Sequence, residues 1–448
     1  MTGGKKFDVA ICGGGVGGLI CALALSKYPD IHVDIYEAAR TFTELGAGIG
    51  IWPRTRKIMK TLGLEEDIQR VLNAPREGEP TPVFTYRKSD QSEGFEFFQM
   101  VTPGGLLMLH RADFQQILLK HISQVVKTHT SKRLCSYSQP SSPSPITLSF
   151  EDGSTATCNV LIGADGIRSS ARASLIRDLS ARATATNDKV ALGRMVEPTW
   201  SGCIAWRSLI PVEKLRAADP THHAITQPTQ YLGKDAYILV YPISQGRMIN
   251  FVAFQVRHDL EGTVFPGHWV TPNGSKEDFV GAYKGWEPEV QTLLKCVEKP
   301  LRWAIHTAKH LPSLVSGRVV IIGDAAHAMT PHQGSGAGQA IEDAYLLATL
   351  LGHPSTTLQT IPLALSAYDA VRRPEARRVA EISIENGKMF TFHLDEYQHL
   401  ERLGPEVEKE KLREMAGRFI KNWQWSWMGE IGGDIERAVR MFEVAVRR

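Results

Sequence analysis

The chain has 448 residues, 43% of them hydrophobic, and 51 Lys and Arg stand against 48 Asp and Glu for a formal net charge of +3. That length supports two or three domains, and the balanced charge, with no basic run beside spaced aromatics, argues against nucleic acid as a partner. No segment is long and apolar enough for a membrane span, no apolar leader precedes the first strand, and six cysteines without a CxxC pair point to a reducing, cytoplasmic setting.

Phe7 to Cys12 reads as a short apolar strand, followed by Gly13-Gly14-Gly15-Val16-Gly17-Gly18 and a helical run from Leu19 to Leu25. A second strand, Ile31 to Tyr36, ends at Glu37. This order is the dinucleotide-binding fingerprint. Gly13 allows the tight turn, Gly15 lets backbone approach a pyrophosphate, and Gly18 lets helix and strand pack closely. Glu37 is placed to accept hydrogen bonds from a ribose diol, with Ala38 beside it. The fingerprint alone fits NAD as well as FAD.

Gly46-Ala47-Gly48-Ile49 is a tight glycine segment, and the helix after it ends near Leu62-Gly63. Thr81–Tyr86, Phe95–Phe98, Gly202–Ser208, Tyr237–Pro242 and Met248–Gln255 alternate with Gly and Pro turns, which suggests an antiparallel sheet. His110-Arg111-Ala112-Asp113-Phe114 opens a helix to about Ile122, and Ser138 to Pro145 reads as a connector. Apolar spacing is helical again from Lys276 to Val297. Val319 to Ile322 is a buried strand with Asp324 at its carboxyl end, where ligands sit in open α/β folds. Glycines at 334, 336 and 338 would let backbone pass close to a flat ring, with a helix from Ala337 to Leu350 beyond them. Arg372, Arg373, Arg377 and Arg378 read as a solvated helical face. Pro374–Gly387 and Leu400–Val446 are largely helical, and Trp423, Trp425 and Trp427 suit a core or subunit contact better than a substrate cage.

Three segments together resemble the class A FAD-dependent aromatic monooxygenases, in the pattern of salicylate hydroxylase. They are the Gly13–Gly18 fingerprint, Gly163-Ala164-Asp165-Gly166-Ile167-Arg168-Ser169 with Arg172, and Gly323-Asp324-Ala325-Ala326-His327 running through Pro331-His332-Gln333-Gly334 to Glu342-Asp343. The resemblance implies an FAD-binding Rossmann-like α/β domain interleaved with an antiparallel-sheet substrate domain, followed by a helical C-terminal region. The cofactor domain would comprise residues 1–72, 106–180 and 310–372, the substrate domain 73–105 and 181–309, and the helical region 373–448. Implied FAD contacts are Gly13, Gly15, Val16, Gly18, Glu37, Ala38, Arg40, Gly48, Arg111, Asp165, Asp324, Pro331, Gly334, Gly336 and Ala337. Arg111 would meet the cofactor phosphates, to which a guanidinium donates bidentately. An exposed arginine or, for Asp324, a simple helix cap are the structural alternatives.

There is no second glycine fingerprint, which agrees with the family pattern the resemblance implies, in which NADH or NADPH is a transient co-substrate. The implied reaction is transfer of oxygen from a C4a-hydroperoxyflavin to an electron-rich phenolic ring, with loss of CO2 where the attacked carbon bears a carboxylate, as in salicylate to catechol. Ortho-hydroxylation or dearomatisation of another phenol, and epoxidation or N-heteroaromatic hydroxylation, remain alternatives, as does a flavin-bound sensor without turnover. His332 is the candidate for phenol activation, since imidazole titrates near neutrality; a structural turn residue is the alternative. Arg207 resembles an arginine that binds or activates the phenolate in related fungal hydroxylases, and Tyr241 resembles a tyrosine lining the same site, or else both are ordinary sheet residues. Arg54 departs from the family pattern, in which Asn commonly follows Pro53. The implied partners are a small aromatic substrate and O2, for a monomer or homodimer.

Overall fold

The computed structural model describes residues 5–42, 48–72, 74–122 and 126–448. Its first layer grows from the apolar strands recognised in the sequence. β1 (Phe7–Cys12) is flanked by β2 (Ile31–Tyr36) and by Val160–Gly163, both parallel to it. Lys127–His129 continues the sheet beyond β2, Val319–Ile321 continues it beyond Val160–Gly163, and Val315–Ser316 closes it, for six strands in all. Each central strand is buried along nearly its whole length, as parallel strands covered on both faces must be. Helix α1 (Val16–Leu25) covers one face and packs on both α3 (Arg111–Ile122) and α6 (Gly336–Gly352). Glu37 and Asp324 follow the carboxyl ends of β2 and of the strand at 319–321, so the segments widely separated in sequence meet along one rim.

The second layer is a sheet of eight strands. At its centre lie β4 (Thr199–Pro211), β5 (Ala236–Ile243), β6 (Met248–Val256) and β7 (Leu301–Thr307), in the spatial order β7-β4-β6-β5. These pair antiparallel, but Thr229–Gly233 pairs parallel with Pro80–Lys88, so the sheet is mixed where pure antiparallel pairing was expected. Phe95–Pro103 forms one edge and Val270–Thr271 the other. A two-stranded ribbon, β3 (Gly48–Ile51) with Leu107–His110, joins the two layers.

Two helical expectations change. Between Glu277 and Cys296 the chain breaks into a four-residue helix, a 3-10 turn and a helix from Pro288, because Gly285 takes a left-handed φ of 81° just before Pro288. In the opposite sense, α7 runs unbroken from Ile361 to Phe390 through Pro374. The boundary placed after Arg372 therefore falls inside one helix. Proline at that position loses one backbone bond, and the helix persists because Arg372 is locked by buried carboxylates and Ala376, Val379 and Ala380 are packed inside. Helices at Pro405–Trp423 and α8 (Ile431–Arg447) complete the C-terminal region.

Candidate active site

The first cleft opens at the ends of β1 and β2. It has a volume near 280 Å³, and its walls include Gly13, Gly15, Glu37, Ala38, Phe42, Asp165 and Arg168. Gly13 has φ of 112°, and a Cβ there would overlap the carbonyl of Ala164, so only glycine closes this turn. α1 begins at Val16 with Gly15 as its cap residue and no side chain satisfying the first amides, which leaves them for an anion. Glu37 accepts hydrogen bonds from the amides of Gly14 and Ala39, both at 2.7 Å, which fixes its carboxylate on the cleft wall. A carboxylate oxygen has a second lone pair for a ribose hydroxyl. Asp165 is spent on its own loop. It accepts from Ser169 and from the amide of Ala171 at 3.0 Å, and burial raises its pKa. Arg40 is exposed beside Thr41 and Phe42, which do line the cleft.

The second region lies where β3 meets the inner face of the large sheet. β3 packs on α6, whose start is built by Pro331–Gln333 in a 3-10 turn, Gly334 in the left-handed conformation, and Gly336 and Ala337 opening the helix. No side chain caps α6 either. Gly48 admits the Tyr241 hydroxyl against its α-carbon, where any Cβ would collide, and its amide donates to Asn250 Oδ1 at 3.4 Å. Tyr241 lies directly opposite Asn250 across β5 and β6, while Arg207 on β4 lies opposite Val252. Strand alternation therefore puts Arg207, Asn250, Tyr241 and Tyr237 on one face. The Arg207 guanidinium sits 5.5 Å from the Trp303 ring, and its Nε is buried without a hydrogen-bond partner, as are Asn250 Nδ2 and Trp303 Nε1. Buried polar atoms left unmatched on one face are what a polar, flat ligand would satisfy. Burial lowers the Arg207 pKa, and burial pushes the Tyr241 hydroxyl up to about 12 against the pull of Arg207. Arg111 opens α3 within the electrostatic reach of Arg207. Gly46 and Ala47 lie outside the described residues.

His332 is buried, with Nδ1 2.7 Å from the Tyr237 hydroxyl and its ring edge-on to Tyr237 and Phe254. Its Nε2 side abuts Gly387, where a Cβ would not fit. Burial, aided by His258, pushes its pKa down to about 3. The expectation that it titrates near neutrality is corrected: burial disfavours the charged ring, which stays neutral. Asp324 is exposed at the start of a four-residue helix and makes no capping bond, which leaves its carboxylate for a ligand rather than for the helix.

The arginine cluster also reads differently in the fold. Arg372 is fully buried, bonding Asp343 at 2.8 Å and Glu342 at 3.0 Å, so it is no solvated face; Arg373, Arg377 and Arg378 do pair with neighbours on α7. Arg54, the departure after Pro53, extends this chain. It holds Glu342 at 3.0 Å and also Asp434 on α8, tying the C-terminal helix to α6. Trp423 is buried and donates to the Gln333 carbonyl at 3.1 Å, where Trp52 also donates at 3.4 Å, so the tryptophans brace the 331–334 turn. Sequence reasoning missed Tyr237, Asn250 and Trp303. Period-two spacing from Tyr241 back to Tyr237, and a lone Asn within the apolar run Met248–Val256, were the available signals.

Residues 6–203 and 298–383 match the family model for the FAD binding domain. The chain is 36% identical to an FAD-dependent monooxygenase of Strobilurus tenacellus, over 96% of this chain and 97% of that protein. It is 35% identical to a salicylate hydroxylase of Pseudomonas putida, over 96% and 94%. A solved salicylate hydroxylase substrate complex superposes with a TM-score of 0.81 at 32% identity, over 97% of this chain and 98% of that one.

Proposed function

Since the chain belongs to the class A FAD-dependent aromatic monooxygenases related to salicylate hydroxylase, we propose that it hydroxylates a phenolic aromatic acid at the expense of NADH or NADPH and O2, salicylate going to catechol with loss of CO2. The observation that carries the substrate class is Arg207: a cation on the inner sheet face, with a buried Nε that has no hydrogen-bond partner and no ion pair among the described residues. FAD, when bound, supplies the electron transfer from NAD(P)H to O2, and the protein supplies position and electrostatics.

In this reading Gly13, Gly15, Val16, Gly18, Glu37 and Ala38 would hold the adenosine part of FAD, with Asp165 shaping that loop and Arg111 serving the phosphates. Asp324 would serve the sugar region, and Pro331, Gly334, Gly336, Ala337 and Gly48 would let backbone approach the ring. The uncapped amides of α1 and α6 fit the groups that carry negative charge. Arg207 holds the phenolate or carboxylate of the substrate by a charge-assisted bond. Tyr241, kept protonated by burial, donates to the same anion. His332 stays neutral and pairs with Tyr237, so its part in phenol activation is to orient that hydroxyl as its hydrogen-bond partner. The apolar walls formed by Leu239, Val252 and Trp303 exclude water.

Among the described residues, no helix is long and apolar enough to cross a membrane. The cysteines, all unbridged, support a cytoplasmic location, for a monomer or homodimer.

The test is anaerobic stopped-flow reduction of the FAD-loaded protein by NADH or NADPH, with and without salicylate. The proposal requires marked acceleration by salicylate and catechol as the aerobic product. Reduction indifferent to salicylate sinks the salicylate assignment. A response to resorcinol-like aldehydes would then select dearomatisation.

A further inference from the structure

Between α4 (Ser170–Arg182), α5 (Thr186–Gly193), the segment at 310–314 and α7 lies a second cavity of about 540 Å³, separate from the cofactor cleft. Leu179, Leu192, Met195, Leu311, Pro312 and Leu314 give it apolar walls. Its polar lining is His310, His327, Arg373, Arg377 and the single acid Asp188. We propose that this cavity is a binding site for an amphipathic carboxylic acid whose apolar body is larger than one aromatic ring.

Charge decides the sign of the ligand. Arg172 is 1% exposed and donates only to carbonyls, those of Ala325 and Ala326 at 3.1 Å and those of Met195 and Lys309. It has no ion pair among the described residues, and burial brings its pKa down to about 10. A buried cation without a counter-charge leaves a positive field in the neighbouring space. Met195 and Ala326, whose carbonyls it grips, are themselves walls of the cavity. That field is felt there: His310 is held below its ordinary pKa by burial and then by Arg377, His327 and Arg172, against Glu381.

Arg373 and Arg377 spend only Nε on Asp369 and Glu381, one helical turn away, and their Nη groups make no hydrogen bond in the described structure. Those are donors for a carboxylate at the rim. Deeper in, His327 is 4% exposed, with Nε2 bound to Asp343 at 2.5 Å and Nδ1 buried without a partner. A ring nitrogen in that state is unusual in a finished core and is satisfied by a polar ligand atom or by water. The lining is too apolar for a bare inorganic anion, and the volume lies within the usual range for organic ligands.

The experiment is calorimetric titration of the FAD-loaded protein with decanoate, and separately with 1-decanol, below their aggregation limits. Two variants serve: Ala191→Trp, an exposed rim position on α5 that would block the mouth, and Arg377→Glu, which reverses the rim charge. Saturable binding of one decanoate per chain is expected, weakened at least about tenfold in both variants and for the alcohol. Absence of saturable binding overturns the site, and binding unchanged in Ala191→Trp overturns its location. Equal affinity for 1-decanol overturns the recognition of a carboxylate. Flavin absorbance and circular dichroism report whether each variant is folded. Because no turnover is read, the outcome is independent of the phenolic-acid reading.

Discussion

The dinucleotide cleft and the aromatic pocket are built on opposite principles. The cleft is made of backbone: Gly13, the uncapped start of α1, and a carboxylate fixed by two amides sit within about twenty-five residues of one another. The aromatic pocket is made of side chains from four strands and the ribbon, with Arg207, Tyr241, Asn250 and Trp303 converging from distant positions. Backbone sites tolerate no added atom, whereas side-chain sites tolerate substitution and change specificity. The two regions should therefore fail in different ways.

The largest effect is expected for Gly13→Ala, where both the φ and the overlap with Ala164 oppose a side chain. Strain of about 3 kcal/mol corresponds to a loss of about 100-fold or more in FAD affinity. The purified protein should be colourless, and flavin content after gel filtration checks this. A yellow variant would mean that the cleft is not backbone-limited. Next, Arg207→Gln should leave FAD bound but lower kcat/KM for the aromatic acid by about 30-fold, the equivalent of about 2 kcal/mol for one charged hydrogen bond. Steady-state kinetics with salicylate measure it. Loss of flavin instead would move Arg207 from the substrate to the cofactor.

A smaller effect is expected for Tyr237→Phe, which removes the partner of a buried imidazole at a cost of about 1–2 kcal/mol. The thermal unfolding temperature should fall by a few degrees, and activity should fall further than that of Tyr86→Phe, another buried tyrosine whose hydroxyl has no hydrogen-bond partner among the described residues.

The pH dependence of stability follows from His332. Its folded pKa is about 3 against an ordinary 6.5, so between these values the unfolded chain binds a proton that the folded chain does not. Stability contributed by the neutral ring is present above about pH 6.5 and declines as pH falls toward 3. His258, brought down to about 4 by burial and then His393, acts in the same direction. Urea midpoints between pH 7 and 5 should fall, and His332→Gln should flatten that slope. An unchanged slope would show that His332 is not the titrating group.

The contrast between the regions also explains what was legible in advance. Local spacing was enough for β1, α1, β2 and the turn before α6, because a glycine at a forced turn and a strand buried on both faces leave a pattern within a few residues. The same spacing misjudged Arg372, since the carboxylates that bury it come from α6, 29 and 30 residues earlier. It broke α7 at Pro374, where local propensity opposed the helix and tertiary packing overrode it. It gave His332 an ordinary imidazole's chemistry, since nothing in Pro331-His332-Gln333 reports that Tyr237 and Phe254 close around the ring.

The sequence by itself determined the dinucleotide fold, because that depends on backbone geometry written in glycines and short apolar runs; FAD and the family came from the resemblance that three separate motifs carry together. The tertiary structure alone decided which side chains face one another: Arg207 beside Tyr241 and Asn250, Arg54 between α6 and α8, and His327 at the floor of a cavity. Those pairings depend on strand register and helix packing across hundreds of residues, and burial then sets the charge each group carries.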